Sequence, residues 1–412
     1  MKLQIPGLIF ISSLVISSCN NPAAKPQPAN SSNAKGSYSY DAEFLKSHTS
    51  KTVELSDNSG SKILLSADYQ GRVMTSTANG DSGLSFGWLN YDLISSGEKR
   101  KGFNPVGGEE RFWLGPEGGQ YSIYFNKGDS FTINNWQVPF IIDTMSFDIV
   151  QSNNTEVVFN KTATIKNYSG TVFNLDINRT ITMLDKPGME SKLKSTIPSD
   201  IKSVGYQTKN SLQNIGSEDW TQEKGLLSIW LLGMFTPTPK TMVIIPFIPV
   251  ENAKAYITDS YFGNIPPDRL QIKDSVLFFK CDGRYRSKIG LSPAIAKPLA
   301  AGFDFENNVL TIVIPEIHKD ASYVNSKWEL QKEPYKGDVI NSYNDGPLED
   351  GTQMGPFFEI ESSSPALQLK KGESATYTQS TLHLQGSYNS IKQLCKTLLN
   401  IDLDELKNKI GF

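Results

Sequence analysis

Short apolar stretches separated by turn-forming residues run along most of this 412-residue chain. From Ser50 to Thr381 the apolar or alternating runs are broken by Gly, Asn, Asp and Pro, as in KILLSADY, GTVFNLDINRTITML, TMVIIPFIPV and VLTIVIP. Runs of this length and alternation are typical of antiparallel β-strands. Helical patterns do not alternate with them, which disfavours a parallel α/β fold. The pattern therefore predicts an all-β, antiparallel fold.

Two turns and a helical C-terminus complete the predicted elements. Asp282-Gly283 and Asn307-Asn308 have the composition of two-residue hairpin loops, which require positive φ. In SIKQLCKTLL the apolar residues follow helical spacing, and Asp402 with Glu405 indicates the start of a second helix. We expect both helices to cover one end of a sheet, with Cys395 packed inside.

Residues 107–125, GGEERFWLGPEGGQYSIYF, combine two glycine pairs, four charges and two large aromatic residues before an alternating run. The glycines and Pro116 favour a loop that displays Arg111, Trp113 and Glu117, an arrangement suited to a hydroxyl-rich ligand. The alternative is an edge strand followed by a glycine turn.

The N-terminus has the pattern of a targeting segment. Lys2 precedes an apolar run from Gly7 to Ile16, and Ile16-Ser17-Ser18-Cys19 resembles a bacterial lipobox, which implies acylation of Cys19. The run is too short for a permanent transmembrane helix, whereas a plain secretory signal is an open alternative. Asn20, rather than Asp, follows the cysteine, and the resemblance to sorted lipoproteins implies the outer membrane or cell surface.

The remaining chain divides simply. Residues 20–39 are rich in Pro, Ala, Asn and Ser and predict a flexible tether, followed by a single domain over 40–412. That length also allows two packed halves or one large sandwich.

Composition narrows the possible ligands. The net charge of -3 disfavours nucleic acid as a partner. Beyond Cys19 only Cys281 and Cys395 remain, so a disulfide framework or cysteine metal site has no support. The histidines are too scattered for a zinc motif, being His48, His318 and His383. We expect no cofactor, although oxygen-ligated calcium is left open.

Six segments together resemble an uncharacterised, domain-of-unknown-function family of bacterial lipoproteins related to the galactose mutarotase superfamily. They are YQGRVMTSTA, GEERFWLGPEGGQ, NNWQVPFIIDT, FGNIPPDRL, DGRYRSKIGLSP and GPFFEIESSSPALQLKKGES. The resemblance covers nearly all of the mature domain. It implies a β-supersandwich with a sugar site on the concave face of the larger sheet.

The last segment resembles the mutarotase strand that bears a catalytic Glu. Glu359 and Glu361 compete for that role, because residues two apart in a strand share a face. The alternative is a pair of solvated glutamates on an outer face. The histidine motifs of mutarotases are absent from this chain. His383 could approach the site or be structural, and Arg111 could stabilise a charged group but is too weak an acid to release its proton.

Further contacts are predicted from pattern alone. Arg284, Arg286 and Lys288 alternate and could grip an anionic sugar from one strand face, or form a solvated face. Trp113 and Trp136 could stack a sugar ring, whereas Trp88 and Trp230 are assigned to the core.

These features predict a membrane-tethered carbohydrate-binding lipoprotein, with a sugar epimerase acting at the anomeric centre as the enzymatic interpretation. The alternatives are a non-catalytic glycan-binding lipoprotein and a polysaccharide lyase-like enzyme that uses Tyr121, Tyr124 or Tyr285 as base.

Overall fold

The computed structural model describes residues 34–409, so the predicted signal segment and the acylation of Cys19 lie outside the described residues. The strands, in chain order, are β1 (Thr52–Ser56), β2 (Lys62–Ser66), β3 (Arg72–Thr77), β4 (Arg111–Gly115), β5 (Asp148–Ser152), β6 (Glu156–Lys166), β7 (Val172–Met183), β8 (Lys202–Asn214), β9 (Ser228–Phe235), β10 (Thr241–Pro246), β11 (Ile257–Thr258), β12 (Leu270–Lys273), β13 (Val276–Lys280), β14 (Ser287–Leu291), β15 (Ala300–Asp304), β16 (Val309–Pro315), β17 (Ile340–Asn344), β18 (Phe358–Ser363) and β19 (Ser374–Gln385). The helices are α1 (Tyr38–His48), α2 (Tyr91–Ser96), α3 (Phe140–Asp143), α4 (Lys186–Leu193), α5 (Tyr388–Leu399) and α6 (Leu403–Lys409).

Three antiparallel sheets hold these strands. The largest has ten strands in the order β12-β13-β10-β15-β16-β19-β8-β7-β6-β5, the second has six in the order β11-β14-β17-β18-β9-β4, and β1-β2-β3 form the third. The predicted all-β fold of the supersandwich class is confirmed.

The ten- and six-stranded sheets pack face to face because each presents apolar side chains to the other. Phe358 and Ile360 of β18 share one core cluster with Val243 of β10 and Phe279 of β13. Burying one large apolar side chain stabilises the folded chain by about 1.5–3 kcal/mol. With period two along the strand, Glu359 and Glu361 must face away from this core.

The two C-terminal helices cover the other face of the ten-stranded sheet. Ile391, Leu394 and Cys395 are buried in α5 and belong to one core cluster with Met242 and Ile312. The predicted helices and the buried Cys395 are therefore confirmed, although they cover a face of the sheet rather than its end.

Only one of the two predicted hairpins exists. β15 and β16 pair around residues 305–308, a four-residue loop in which Asn308 has a φ of 52°. Asp282-Gly283 instead joins β13 of the ten-stranded sheet to β14 of the six-stranded sheet. A chain that crosses between stacked sheets has the same turn residues as a hairpin, which explains the wrong prediction.

The folded part begins earlier than the expected boundary at residue 40. The Ser37 hydroxyl accepts from the backbone N–H of Tyr40 at the start of α1, and the Tyr38 side chain is buried. Within residues 34–409, no helix is long and apolar enough to cross a membrane.

Candidate functional site

Strand pairing brings the predicted residues onto one face of the six-stranded sheet. Glu361 of β18 lies opposite Leu232 of β9, and Leu232 lies opposite Arg111 of β4. Directly opposed residues of antiparallel strands project to the same side. We call this side, which faces away from the ten-stranded sheet, the outer face. It carries Arg111, Trp113, Trp230, Lys288, Tyr343, Glu359 and Glu361.

Arg111 and Glu359 form a buried ion pair on the outer face. An Arg111 Nη2 donates to Glu359 Oε1, and the two side chains are 2% and 8% exposed. The guanidinium lies 4.6 Å from the ring centre of Trp113, a cation–π contact. Its Nε and Nη1 are buried without a partner among the described residues. Arg111 therefore has donors left for a ligand.

Glu361 is held from two sides. Its Oε2 accepts from Trp230 Nε1 at 3.0 Å and from Lys288 Nζ at 2.9 Å. Its Oε1 is buried and accepts no hydrogen bond from the described residues. An unpaired buried oxygen costs about 1–3 kcal/mol, a cost that a ligand hydroxyl would remove.

Aromatic rings form a wall beside these charges. The ring centres of Trp113 and Trp136 lie 6.4 Å apart, and Trp136 is stacked on Tyr124 at 6.1 Å and on Trp328 at 5.9 Å. Trp113 also packs edge-on against Trp230 at 5.6 Å. Trp136 and Trp328 are half-buried and so stand at the solvent side of the wall.

Glu117 follows β4 on a segment that is fixed against the neighbouring loop. Its backbone N–H donates to the Ser326 hydroxyl at 3.2 Å, and Gln120 exchanges hydrogen bonds with the backbone of Gln331 at 2.9 Å. A Cβ at Gly118 would overlap the Lys327 carbonyl oxygen. The glycine pair after Glu117 thus permits close approach of two backbones.

Burial changes the acidity of two carboxyl groups. It raises the pKa of Glu359 to about 8, with Arg111 acting in the opposite direction and the charge of Glu361 adding to the rise. It also raises the pKa of Glu117 to about 7, opposed by Lys288 and by the indoles of Trp328 and Trp136. Near neutral pH both groups can therefore hold or release a proton.

The outer face is closed in this structure. Glu361 is fully buried and the Lys288 side chain is 12% exposed. A cavity of about 360 Å³ is lined by Tyr124 of the aromatic wall, but also by Lys99, Asn104 and Asp143, away from the two glutamates. A ligand could reach Glu361 only after the side chains that enclose it move.

Three predicted contacts are placed differently from the expectation. β14 begins at Ser287, so Arg284, Arg286 and Lys288 do not form a line on one strand. Arg284 is exposed, with its backbone N–H bonded to Asp282. Arg286 stacks on Phe262, its guanidinium carbon 3.8 Å from the ring centre, and only Lys288 reaches the glutamates.

His383 lies on the ten-stranded sheet, in the core rather than on the outer face. Its side chain is fully buried, with Nε2 3.1 Å from Glu109 Oε2 and Nδ1 2.9 Å from Thr311 Oγ1. Phe86 stacks on the ring at 4.5 Å. The structural alternative for His383 fits this position, because every ring nitrogen already has a protein partner.

Part of the segment 107–125 forms an edge strand, which was the alternative to a display loop. β4 is an outermost strand of the six-stranded sheet, and all five of its residues are buried. The alternating run YSIYF after it forms no strand. The outer face also belongs to the smaller of the two packed sheets, not the larger as expected.

Several residues on or beside the outer face were not predicted as site residues. Trp230 lies in a core cluster as predicted, and its indole N–H also donates to Glu361. The Tyr261 hydroxyl donates to Asp338 at 2.7 Å and lies beside Lys288. FGNIPPDRL begins directly after Tyr261, and DGRYRSKIGLSP contains Lys288, so the resemblance already marked this region. Within residues 34–409 no group of three or more His, Cys, Asp or Glu side chains is arranged to hold a metal ion.

The fold and the outer face define an all-β sandwich protein with a buried cluster of charged and aromatic side chains. The chain belongs to DUF6786, a family of unknown function, whose model matches residues 36–410.

Solved structures with similar folds were also found. The Slr1438 protein from Synechocystis sp. PCC 6803 is 12% identical, with 82% of this chain and 96% of that chain covered and a TM-score of 0.49. A galactose mutarotase-like protein from Lactobacillus casei ATCC 334 is 11% identical, with 81% and 99% covered and a TM-score of 0.46. A galactose mutarotase related enzyme from Lactobacillus acidophilus is 10% identical, with 82% and 97% covered and a TM-score of 0.43. No curated protein matches the chain.

Proposed function

We propose that the outer face binds a carbohydrate. The observation that carries the proposal is the set of unpartnered polar atoms, Arg111 Nε and Nη1 and Glu361 Oε1, beside the wall of indole rings. Sugar hydroxyls both donate and accept hydrogen bonds, and sugar C–H faces pack on aromatic rings. In this proposal Trp113 and Trp136 contact the ring and Arg111 donates to a ring or substituent oxygen.

The finer part of the proposal is proton exchange at the anomeric centre, as in a sugar epimerase. Glu361 Oε1 accepts the anomeric hydroxyl proton, while Lys288 and Trp230 stabilise the carboxylate through Oε2. Glu359 is the competing base, but its Oε1 is already bonded to Arg111. General acid–base catalysis of this kind contributes about 10²–10⁴-fold to a rate.

Anomer exchange followed by NMR tests this role. A panel of reducing sugars is screened with the wild-type protein, and Glu361→Gln and Glu359→Gln are then compared on the sugar that exchanges. We expect Glu361→Gln to slow exchange at least 100-fold with sugar binding retained. Unchanged exchange in both variants would remove the proton-transfer role from this pair.

A non-catalytic glycan-binding protein is the second candidate, and one observation favours it. Glu359 and Glu361 are each ion-paired within the protein. The ring nitrogens of the three histidines bond to residues outside the outer face, which are Phe44 for His48, Glu316 for His318 and Glu109 for His383. Sugar binding without anomer exchange in the wild-type protein is the outcome that selects this candidate.

The lyase alternative has less support from the tyrosines. The Tyr124 hydroxyl donates to the Leu114 carbonyl inside the core, and the Tyr121 hydroxyl donates to the Glu223 carbonyl. The exposed Tyr285 bonds to the Asn264 carbonyl. Absence of unsaturated-product absorbance with acidic polysaccharides is the expected result.

We further propose that Cys19 carries the lipid that anchors the protein at the outer membrane or cell surface. Only the sequence pattern supports this placement. Metabolic labelling with a fatty-acid probe should mark the wild-type protein in membrane fractions and not Cys19→Ala. Labelling of both proteins, or of neither, would contradict it.

A further inference from the structure

Anomer exchange needs two proton-transferring groups, and the outer face has a third carboxyl besides the ion-paired glutamates. A base removes the proton of the anomeric hydroxyl, and an acid must protonate the ring oxygen as the ring C–O bond breaks. Arg111 cannot serve as that acid near neutral pH. The inference below rests on the proposed epimerase function.

Glu117 is the carboxyl best placed to be that acid. The charges of Lys288 and Glu361 act on its carboxyl, and the indoles of Trp328 and Trp136 favour its charged form, so the pKa of Glu117 responds to the groups of the outer face. Unlike Glu359 and Glu361, it has no ion pair among the residues that the structure describes. It is also half-buried, so it lies between the closed cluster and solvent.

The backbone around Glu117 is fixed, as a proton donor requires. Hydrogen bonds to Ser326 and Gln331 fasten its segment to the facing loop, and Gly118 allows the two backbones to touch. The same loop carries Trp328. The segment of Glu117 is therefore fixed against the loop that carries one of the indoles of the wall.

We propose that Glu117 is the general acid of the outer face, in the role that mutarotases give to histidine. The Glu117 carboxyl donates its proton to the ring oxygen while Glu361 takes the anomeric hydroxyl proton, and the ring C–O bond opens to an aldehyde. After rotation about the bond to the anomeric carbon, the ring hydroxyl adds to the other face of the carbonyl. Its proton returns to Glu117, and Glu361 returns the other proton to the new anomeric oxygen. The raised pKa of Glu117, about 7, agrees with a group that is protonated at the start of the step.

The pH profile of kcat/KM for anomer exchange tests this role. Wild type should lose activity as pH rises through about 7, because the acid must be protonated. Glu117→Gln should slow exchange about 100-fold or more and lose this alkaline limb, whereas Glu117→Asp should keep the limb at a reduced rate. Glu329→Gln, at an exposed position on the facing loop, is the matched control and should behave as wild type.

The outcomes separate this inference from the proposed function. Slow exchange in Glu361→Gln together with wild-type exchange and an unchanged limb in Glu117→Gln overturns the role of Glu117 alone. Absence of exchange in wild type overturns the role of Glu117 and the epimerase proposal together, and sugar binding by the wild-type protein then selects the non-catalytic candidate. Saturation-transfer NMR on each variant shows that sugar is still bound, which a merely structural loss of the site would not allow.

Discussion

The burial of the ion pair between Arg111 and Glu359 predicts how much free energy of unfolding is lost when either partner is removed. Glu359→Leu leaves the Arg111 cation, 2% exposed, without its counter-charge. Loss of one partner of a buried pair costs about 3–5 kcal/mol. Arg111→Met costs less, about 1–3 kcal/mol, because the Glu359 carboxyl can take up a proton and become neutral.

The double variant Arg111→Met/Glu359→Leu should recover most of this loss. Replacing a buried pair by apolar side chains of similar size is often neutral or stabilising, because neither charge then has to be desolvated. We therefore expect a coupling energy of about 3 kcal/mol or more between the two substitutions. The Trp113 ring, on which the guanidinium lies, would pack against methionine instead.

Urea denaturation of the four proteins at pH 9, above the raised pKa of Glu359 of about 8, measures this cycle while the pair is charged. The free energy of unfolding of the double variant should lie near that of wild type, while its sugar binding is lost. If the two single losses instead add to within about 0.5 kcal/mol, the residues do not interact as a buried pair and the reasoning is refuted. Recovery of stability together with loss of sugar binding would show that the ion pair serves ligand binding rather than stability.

Three further predictions concern pH, the core and the loop contact. Because the pKa of Glu359 rises from 4.5 to about 8 on folding, the folded chain binds more protons than the unfolded chain between these values. The free energy of unfolding should therefore fall as pH rises from 5 to 8, and Glu359 should contribute up to about 1.4 kcal/mol per pH unit to this fall. Glu359→Gln should flatten the dependence of the unfolding free energy on pH. Parallel pH dependences of wild type and variant, measured by urea titration, would contradict this prediction. His383→Ala should lower the unfolding free energy by about 2–4 kcal/mol, because Glu109 Oε2 keeps only the Ser76 hydroxyl as a partner and the lost ring leaves a cavity. Sugar affinity of the folded protein should be unchanged, and a lost affinity would show that His383 belongs to the site. Gly118→Ala should weaken sugar binding about tenfold or more by separating Glu117 from the facing loop. Glu329→Ala, at an exposed position on that loop, should bind normally in calorimetric titration.

The fold class was predictable because it depends on local pattern. Alternation in β18 puts Phe358 and Ile360 on the core side and Glu359 and Glu361 on the other, and that information lies within four residues. The helical spacing of Ile391 and Leu394 in α5 was equally local.

The features that the sequence did not show depend on pairing between distant strands. Asp282-Gly283 suits a hairpin and a crossover equally, and only the sheet order separates the two. Trp230 is buried in a core cluster as predicted, but nothing in its sequence context shows that its indole N–H donates to Glu361, 131 residues further along the chain. Arg111 and Trp113 were expected on a loop, since glycines surround them, but pairing with β9 makes their segment a strand.

Sugar binding on the outer face is the central claim, and saturation-transfer NMR with a panel of neutral and anionic sugars tests it most directly. The panel is run on wild type, on Trp136→Ala at the solvent side of the aromatic wall, and on Trp220→Phe as a control in the core beside Phe173. We predict transfer from wild type and the control to at least one sugar, and its loss in Trp136→Ala. Equal transfer in all three proteins, or none from wild type to any sugar, would contradict the assignment of the outer face as a carbohydrate site.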